Sequence, residues 1–311
     1  MERKSAERLA ELIETVEPLP QVATLVVEKC ADPKASTREI ASCLSNDPAF
    51  TAKVLSVANS VFYRGEKEIK TAQEAVMRIG QKALKNIVYS TAVYSLFAKD
   101  KKKSGFDREA FWLHSLSVAV CARLLAERHR MEEGEAFTAG LLHDIGKVLI
   151  DQASTEKAGK GNASKLETVL MADDEAMIEG LDPAEVGYHA GRKWNLPAGI
   201  VKAIGYIRVE DLEFIGNKAE EALVRVIQGA NAFCEDVESL KGNPHPEILE
   251  TYGARFDLEG EEMSAFAVKI RDEVGATAEL FNLKKPDVQR YFDALAVAQS
   301  EIDRSKLEQT S

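Results

Sequence analysis

The sequence predicts an all-α protein, a multi-helical bundle with an N-terminal helical subdomain and extra C-terminal helices. Three observations carry that expectation. Helix-start signals recur along the 311 residues. After each signal the apolar residues follow the helical period. No alternating apolar–polar strand and no Asn-Gly or Asp-Gly hairpin turn interrupts the pattern, and no fixed-period repeat points to a solenoid.

The elements follow in order. "MERKSAERLAELIETVE" is amphipathic and charged, which predicts a helix rather than a secretion signal. "STRE" places Ser36 at an N-cap with Glu39 three residues on, a capping box. "NDPAF" puts Asp47 at a cap and Pro48 at the first helical position, where the missing N–H costs nothing. Val54, Val57 and Ala58 then line one face. "TAQE" repeats the capping box with Thr71 and Glu74, and the helix through Val76 and Ile79 stops at Gly80. "AKDKKKSG", residues 98–105, separates the first helical half from the second, and its Lys99, Lys101, Lys102 and Lys103 form a solvated linker. Asp107 caps "DREAFWLHSLSVAVCARLLAERHR". A helix runs through 140–150, "SKLE" supplies another box from Ser164 and Glu167, and "LDPAE" caps a helix with Asp182 before Pro183. "KGNPHPE", residues 241–247, precedes a charged, amphipathic tail suited to covering the body or binding a partner. The expected units are residues 1–103, 104–240 and 246–311.

Composition narrows the function. Apolar residues make up 45%, enough for a real core, while 51 acids against 40 bases give a net charge of −11. That balance works against non-specific nucleic-acid binding, which needs a basic surface. No run reaches the roughly 20 apolar residues of a membrane span. Cys30, Cys43, Cys121 and Cys234 form no CxxC pair; they fit reduced core thiols in the cytoplasm and exclude a zinc ribbon.

Chemistry concentrates in "GLLHDIGKVLI", residues 140–150. On a continuous helix Leu141, Ile145 and Val148 face the core, while Gly140, His143, Asp144 and Lys147 share another face at i, i+3, i+4 and i+7. That face is either a solvated polar stripe with an Asp144–Lys147 pair or part of a metal site. On the preceding helix His114 lies in an apolar stripe with Phe111, Ser115, Val118 and Leu125, so its imidazole needs a hydrogen-bond partner or a ligand. His143 and Asp144 are the expected partners. His129 is expected to serve the C-terminal dipole of that helix, and His245 to lie in a loop. No phosphate-binding Walker loop and no GxSxG nucleophile elbow is present.

His114 followed by His143-Asp144 within "AGLLHDIGK" resembles the HD superfamily of metal-dependent phosphohydrolases. The wider chain resembles one branch, the HDOD (HD-related output domain) proteins of bacterial signalling. "EPLPQVATLVVEKCADPKASTREIASCLSNDPAFTAKVLSVANSVFY", "TAQEAVMRIGQKALKNIV", "FWLHSLSVAVCARLLA", "EAFTAGLLHDIGKVLI" and "AEVGYHAGRKWNLPAGIVKAI" carry the resemblance, over about residues 17–210.

The resemblance implies an HD-like helical core used in regulation, in which an active site needs His, His-Asp and a later Asp. The first three map onto His114, His143 and Asp144; the last maps onto Asn231, whose amide brings no charge to a divalent cation. Asp236 lies five residues further on, about 140° around the helix. The further histidines of two-metal relatives fall where this chain has Pro183, Ile207 and Arg208. His189 could supply a ligand only from a new direction, and Glu185 suits a first-turn dipole partner. The expectation is therefore a degenerate HD site with no cofactor, able at most to trap an adventitious divalent ion. The chain would then be a catalytically inactive HDOD module that meets a signalling protein, a small effector or a second copy of itself. Two alternatives stand beside it. One is a metal-dependent phosphohydrolase acting on nucleotides or cyclic dinucleotides, with Lys147 on the phosphate. The other is an effector pocket lined by His143, Lys147, Trp194 and Arg208.

Overall fold

A computed structural model describes residues 2–280, except 61, 64–66, 98–105, 159–179, 213–215, 240–245 and 259, and also residue 297. The expected basic linker, the Ser164–Glu167 box, His245 and nearly all of the tail beyond residue 280 lie outside the described residues. Every regular element among the described residues is a helix.

The N-terminal layer is built by local signals. Helices α1 (Glu2–Thr15), α2 (Gln21–Ala31), α3 (Thr37–Ser45) and α4 (Pro48–Ala58) precede the long α5 (Ala72–Phe97). Ser36 accepts from the Glu39 amide, and the Glu39 carboxylate accepts from the Ser36 amide, closing the expected capping box. Asp47 accepts from the Phe50 amide ahead of Pro48. Thr71 and Glu74 repeat the reciprocal pair. Helix α5 breaks where the sequence predicts a stop. Gly80 has φ 79° and ψ 166°, a left-handed conformation that glycine adopts without steric cost, and a second helical stretch resumes directly after it. Helices α2, α3 and α4 pack on α5 and bury Val26, Ile40, Leu44 and Val54.

The second body is centred on α6 (Arg108–Arg128), capped by Asp107 as expected. It packs against α7 (Glu133–Leu142) and continues through α8 (Ile145–Ala158), α9 (Pro183–Lys193), α10 (Ala198–Gly205) and α11 (Lys218–Ser239). Asp182 caps α9 through the Ala184 amide. Close approach depends on glycines at two crossings. A Cβ at Gly140 would lie 2.7 Å from the Ala119 Cα of α6, and one at Gly146 would lie 1.9 Å from the Pro183 carbonyl oxygen. Helix α6 is long and apolar enough to cross a membrane by length and composition, but it is sheathed by α7, α11 and α13 (Glu261–Leu280). Cys121 on α6 and Cys234 on α11 are buried free thiols.

Helices α12 (Pro246–Phe256) and α13 return over α11 and α6. Arg123 fixes them. Its guanidinium, 4% exposed, meets Glu273 of α13 at 2.5 Å, Glu133 at 3.1 Å and Glu127 at 3.5 Å. The two halves of the chain also interlock. Tyr89 donates to the Asn195 carbonyl, and the Trp194 indole N–H donates to the Glu17 carbonyl.

Candidate functional site

One expectation about the His-Asp segment fails. Residues 140–150 do not form one helix: α7 ends at Leu142, and His143 and Asp144 occupy the junction before α8 begins at Ile145. The cause is packing. Gly140 must sit against the backbone of α6 while Gly146 sits against the start of α9, and the junction lets the chain meet both. The polar stripe is also not solvated. His143 is 0% exposed, Asp144 2% and Lys147 7%.

The side chains at this junction form a charge cluster. Lys147 Nζ lies 2.6 Å from Asp144 Oδ2, and Arg208 Nη2 lies 3.4 Å from Asp144 Oδ1. Burial alone would raise the Asp144 carboxyl, but the Lys147 ammonium, with His143 and Arg208, holds it well below the usual carboxylate range. His143 Nδ1–H donates to the Gly140 carbonyl at 2.7 Å, which fixes the tautomer and leaves Nε2 as an acceptor. That Nε2 is buried without a hydrogen-bond partner, 3.7 Å from Asp144 Oδ2. Burial pushes the His143 imidazole down to about 4, so the ring is neutral at pH 7.

His114, on α6, faces His143 with ring centroids 5.3 Å apart. Its Nδ1 lies 3.0 Å from Glu238 Oε1 and its Nε2 lies 3.1 Å from Asn231 Oδ1. Burial works against its charge. The Glu238 carboxylate, helped by Asp144 and Glu235, outweighs burial and raises the imidazole to about 9. His114 is therefore an imidazolium at pH 7, donating from both nitrogens. Asn231 completes the chain by donating to Glu235 Oε1 at 2.6 Å.

Sequence reasoning missed Glu235 and Glu238. Their spacing, four and seven residues after Asn231, put them on its helical face and was the available signal. Asp236 points elsewhere and accepts from the Tyr252 hydroxyl. His114, His143, Asp144, Lys147, Arg208 and Asn231 come together. Trp194 is engaged at the α1–α2 connection instead, and His189 packs edge-on to Tyr188. Ile207 is core, Glu185 is an exposed first-turn acid, and His129 is the C-cap of α6.

These donors do not fit an HD-type metal centre. Among the described residues no group of three or more His, Cys, Asp or Glu side chains could hold an ion. His114 has both nitrogens committed as donors, Asn231 turns its oxygen to His114, and Lys147 neutralises Asp144. A metal ligand must offer a free lone pair, and His143 Nε2 is the one nitrogen of the cluster that does.

Comparisons agree with this architecture. The HDOD domain model matches residues 16–209. An uncharacterized protein of Treponema pallidum (strain Nichols) is 23% identical over 206 residues, 65% of this chain and 39% of that protein, so the chain spans well under half of this relative. An HDOD domain protein of unknown function from Geobacter sulfurreducens superposes with a TM-score of 0.58 at 24% identity, covering 90% of this chain and 99% of that one. A chain from Shewanella amazonensis SB2B, named as a candidate phosphohydrolase, gives 0.60 at 24% identity over 93% and 98% of the two chains. A candidate signal transduction protein from Marinobacter aquaeolei VT8 gives 0.56 at 18% identity over 89% and 66%. At these identities the structures establish a shared fold. The family match covers well over half of the sequence, and the chain belongs to the HDOD family.

Proposed function

We propose that this chain is a non-hydrolytic HDOD signalling module that works in the cytoplasm through protein or small-ligand contacts. One observation supports the reading above the others: at the His143-Asp144 pair, side-chain cations do the neutralising. Lys147 and Arg208 meet the Asp144 carboxylate at 2.6 and 3.4 Å, and both His114 nitrogens are tied to Glu238 and Asn231. With no second carboxylate among the described residues aimed at a shared point, the cluster offers neither a bound hydroxide nor a general base within reach of one. The acidic surface favours a protein or small-molecule partner over nucleic acid. The test is direct. Purified protein incubated with Mn²⁺, Fe²⁺ or Zn²⁺ should retain no stoichiometric ion and should turn over neither cyclic dinucleotides nor nucleoside phosphates. Turnover that His143→Ala abolishes sinks the reading.

A second reading has its own observation. The buried, unpartnered His143 Nε2 beside Asp144 is where a mononuclear phosphohydrolase would begin to build a centre. His114 would then have to surrender its bond to Asn231, and Lys147 would turn from Asp144 to a substrate phosphate. Stoichiometric metal together with turnover selects this reading.

A further inference from the structure

A recess of about 270 Å³ lies between the C-terminal end of α6, the first half of α11 and the end of α12. Its position on α6, Leu125 to His129, is 11 to 15 residues beyond His114, about 17–22 Å along the helix. Along α6 it is therefore well removed from His114.

Its lining has two characters. Leu125, Val226 and Phe256 make an apolar wall, while His129, Arg225 and Arg255 bring cationic or protonatable nitrogen to the same space. That is unusual on a chain of net charge −11. Arg225 is partly committed, with its Nε and Nη2 on Glu221 Oε1 at 2.9 and 2.8 Å. Arg255 is less so. It rests 6.0 Å from the Tyr252 ring centroid and forms no ion pair with any described residue. Gly229 keeps the floor open: a Cβ there would lie 3.2 Å from Phe256 and 3.6 Å from Arg255 Nε. Gln228 holds the wall in place by donating to the carbonyls of Tyr206 and Val209 at 2.9 and 2.8 Å. Those residues flank Arg208, which reaches Asp144, so the recess and the His143 cluster share one turn.

Guanidinium groups at the edge of an apolar recess suit an oxyanion carried on an apolar body. Counting Glu221 against two arginines leaves one net positive charge. The size suits a compact molecule, just below the range of about 300–1,000 Å³ of ordinary ligand pockets. We propose that this recess binds a small phosphate monoester with an apolar or aromatic body, its phosphate on Arg255 and Arg225 and its body against Phe256 and Leu125.

Calorimetric titration of the full chain with phenyl phosphate tests this, with inorganic phosphate and phenol as partial probes. Phenyl phosphate should bind about tenfold or more tighter than either fragment. Arg255→Gln and Arg225→Gln should each weaken it about tenfold or more, the loss expected for a charge-assisted hydrogen bond. Arg225 is 56% exposed, so its variant keeps the test valid if α12 tolerates the Arg255 change poorly. His143→Gln should bind as the unaltered chain does. No binding of phenyl phosphate at millimolar concentration, unchanged binding by both arginine variants, or loss of binding in His143→Gln would each overturn the proposal. The last outcome would place the ligand in the HD-like cluster, and the hydrolysis assay on the same samples reports on that cluster independently.

Discussion

Helix α6 meets two charge clusters, one at His114 and one at Arg123, and they are built as opposites. At Arg123 a single buried base is surrounded by Glu127, Glu133 and Glu273, and Lys269 joins at Glu127. At Asp144 a single buried acid is surrounded by Lys147, Arg208 and two imidazoles. Each leaves one buried nitrogen without a hydrogen bond, Arg123 Nε and His143 Nε2. The difference is in what stands over it. The Arg123 guanidinium lies 4.6 Å from the Phe62 ring centroid, a π-surface that favours a cation. His143 Nε2 is an acceptor with no donor, and an unmet buried acceptor costs about 1–3 kcal/mol. The first cluster spends its charge on joining helices from three parts of the chain. The second keeps an unmet acceptor, His143 Nε2, inside a buried group of charges.

The largest expected effect breaks the first cluster. Arg123→Ala would strand Glu273 and Glu133 and should cost about 3–5 kcal/mol in urea unfolding, the scale for removing one partner of a buried ion pair. Hydrogen exchange should then rise first in α13. A loss under about 1 kcal/mol would mean that α13 is held by apolar packing alone. At the second cluster, Asp144→Ala leaves a nearly buried ammonium at Lys147 and should cost about 3 kcal/mol. The double variant Asp144→Leu/Lys147→Met should recover most of that. A neutral single variant would show that water reaches the cluster.

The smallest effect sharpens the comparison through pH. The folded-state pKa of His114 is raised to about 9, so its contribution is complete below the ordinary value of about 6.5 and is lost as pH rises through 9. That of His143 is lowered to about 4, so its contribution is present above about 6.5 and is lost as pH falls towards 4. Together they predict a stability maximum near pH 6.5, with slopes of at most about 1.4 kcal/mol per pH unit on either side. His114→Gln should flatten the alkaline limb and His143→Gln the acid limb of melting temperature against pH. NMR titration of the two rings checks the assignment.

Much of the fold was legible because helix starts are local chemistry. The Ser36–Glu39 and Thr71–Glu74 boxes and the Asp47-Pro48 and Asp182-Pro183 caps each need only a few neighbouring residues to satisfy orphan amides. The proximity of His114 to the His143 segment and to Asn231 was legible, but the expectation that His143 and Asp144 would partner the His114 imidazole fails: its nitrogens bond to Glu238 and Asn231. The break at His143 was not legible, because it answers two glycine-mediated crossings with α6 and α9 that no local pattern records. Trp194 looked like a pocket wall because periodicity cannot say which neighbour an indole will meet; it meets the Glu17 carbonyl.

By itself, then, the sequence determined that this chain is helical, where several of its helices begin, and that residue 231 is an asparagine. These follow from side chains acting on their own backbone or from residue identity. Tertiary structure alone decided that Lys147 and Arg208 neutralise Asp144, that Glu238 charges His114, and that α13 locks onto Arg123. Each of those joins elements far apart in sequence, and a buried charge takes its state from whatever the fold brings within a few ångströms of it.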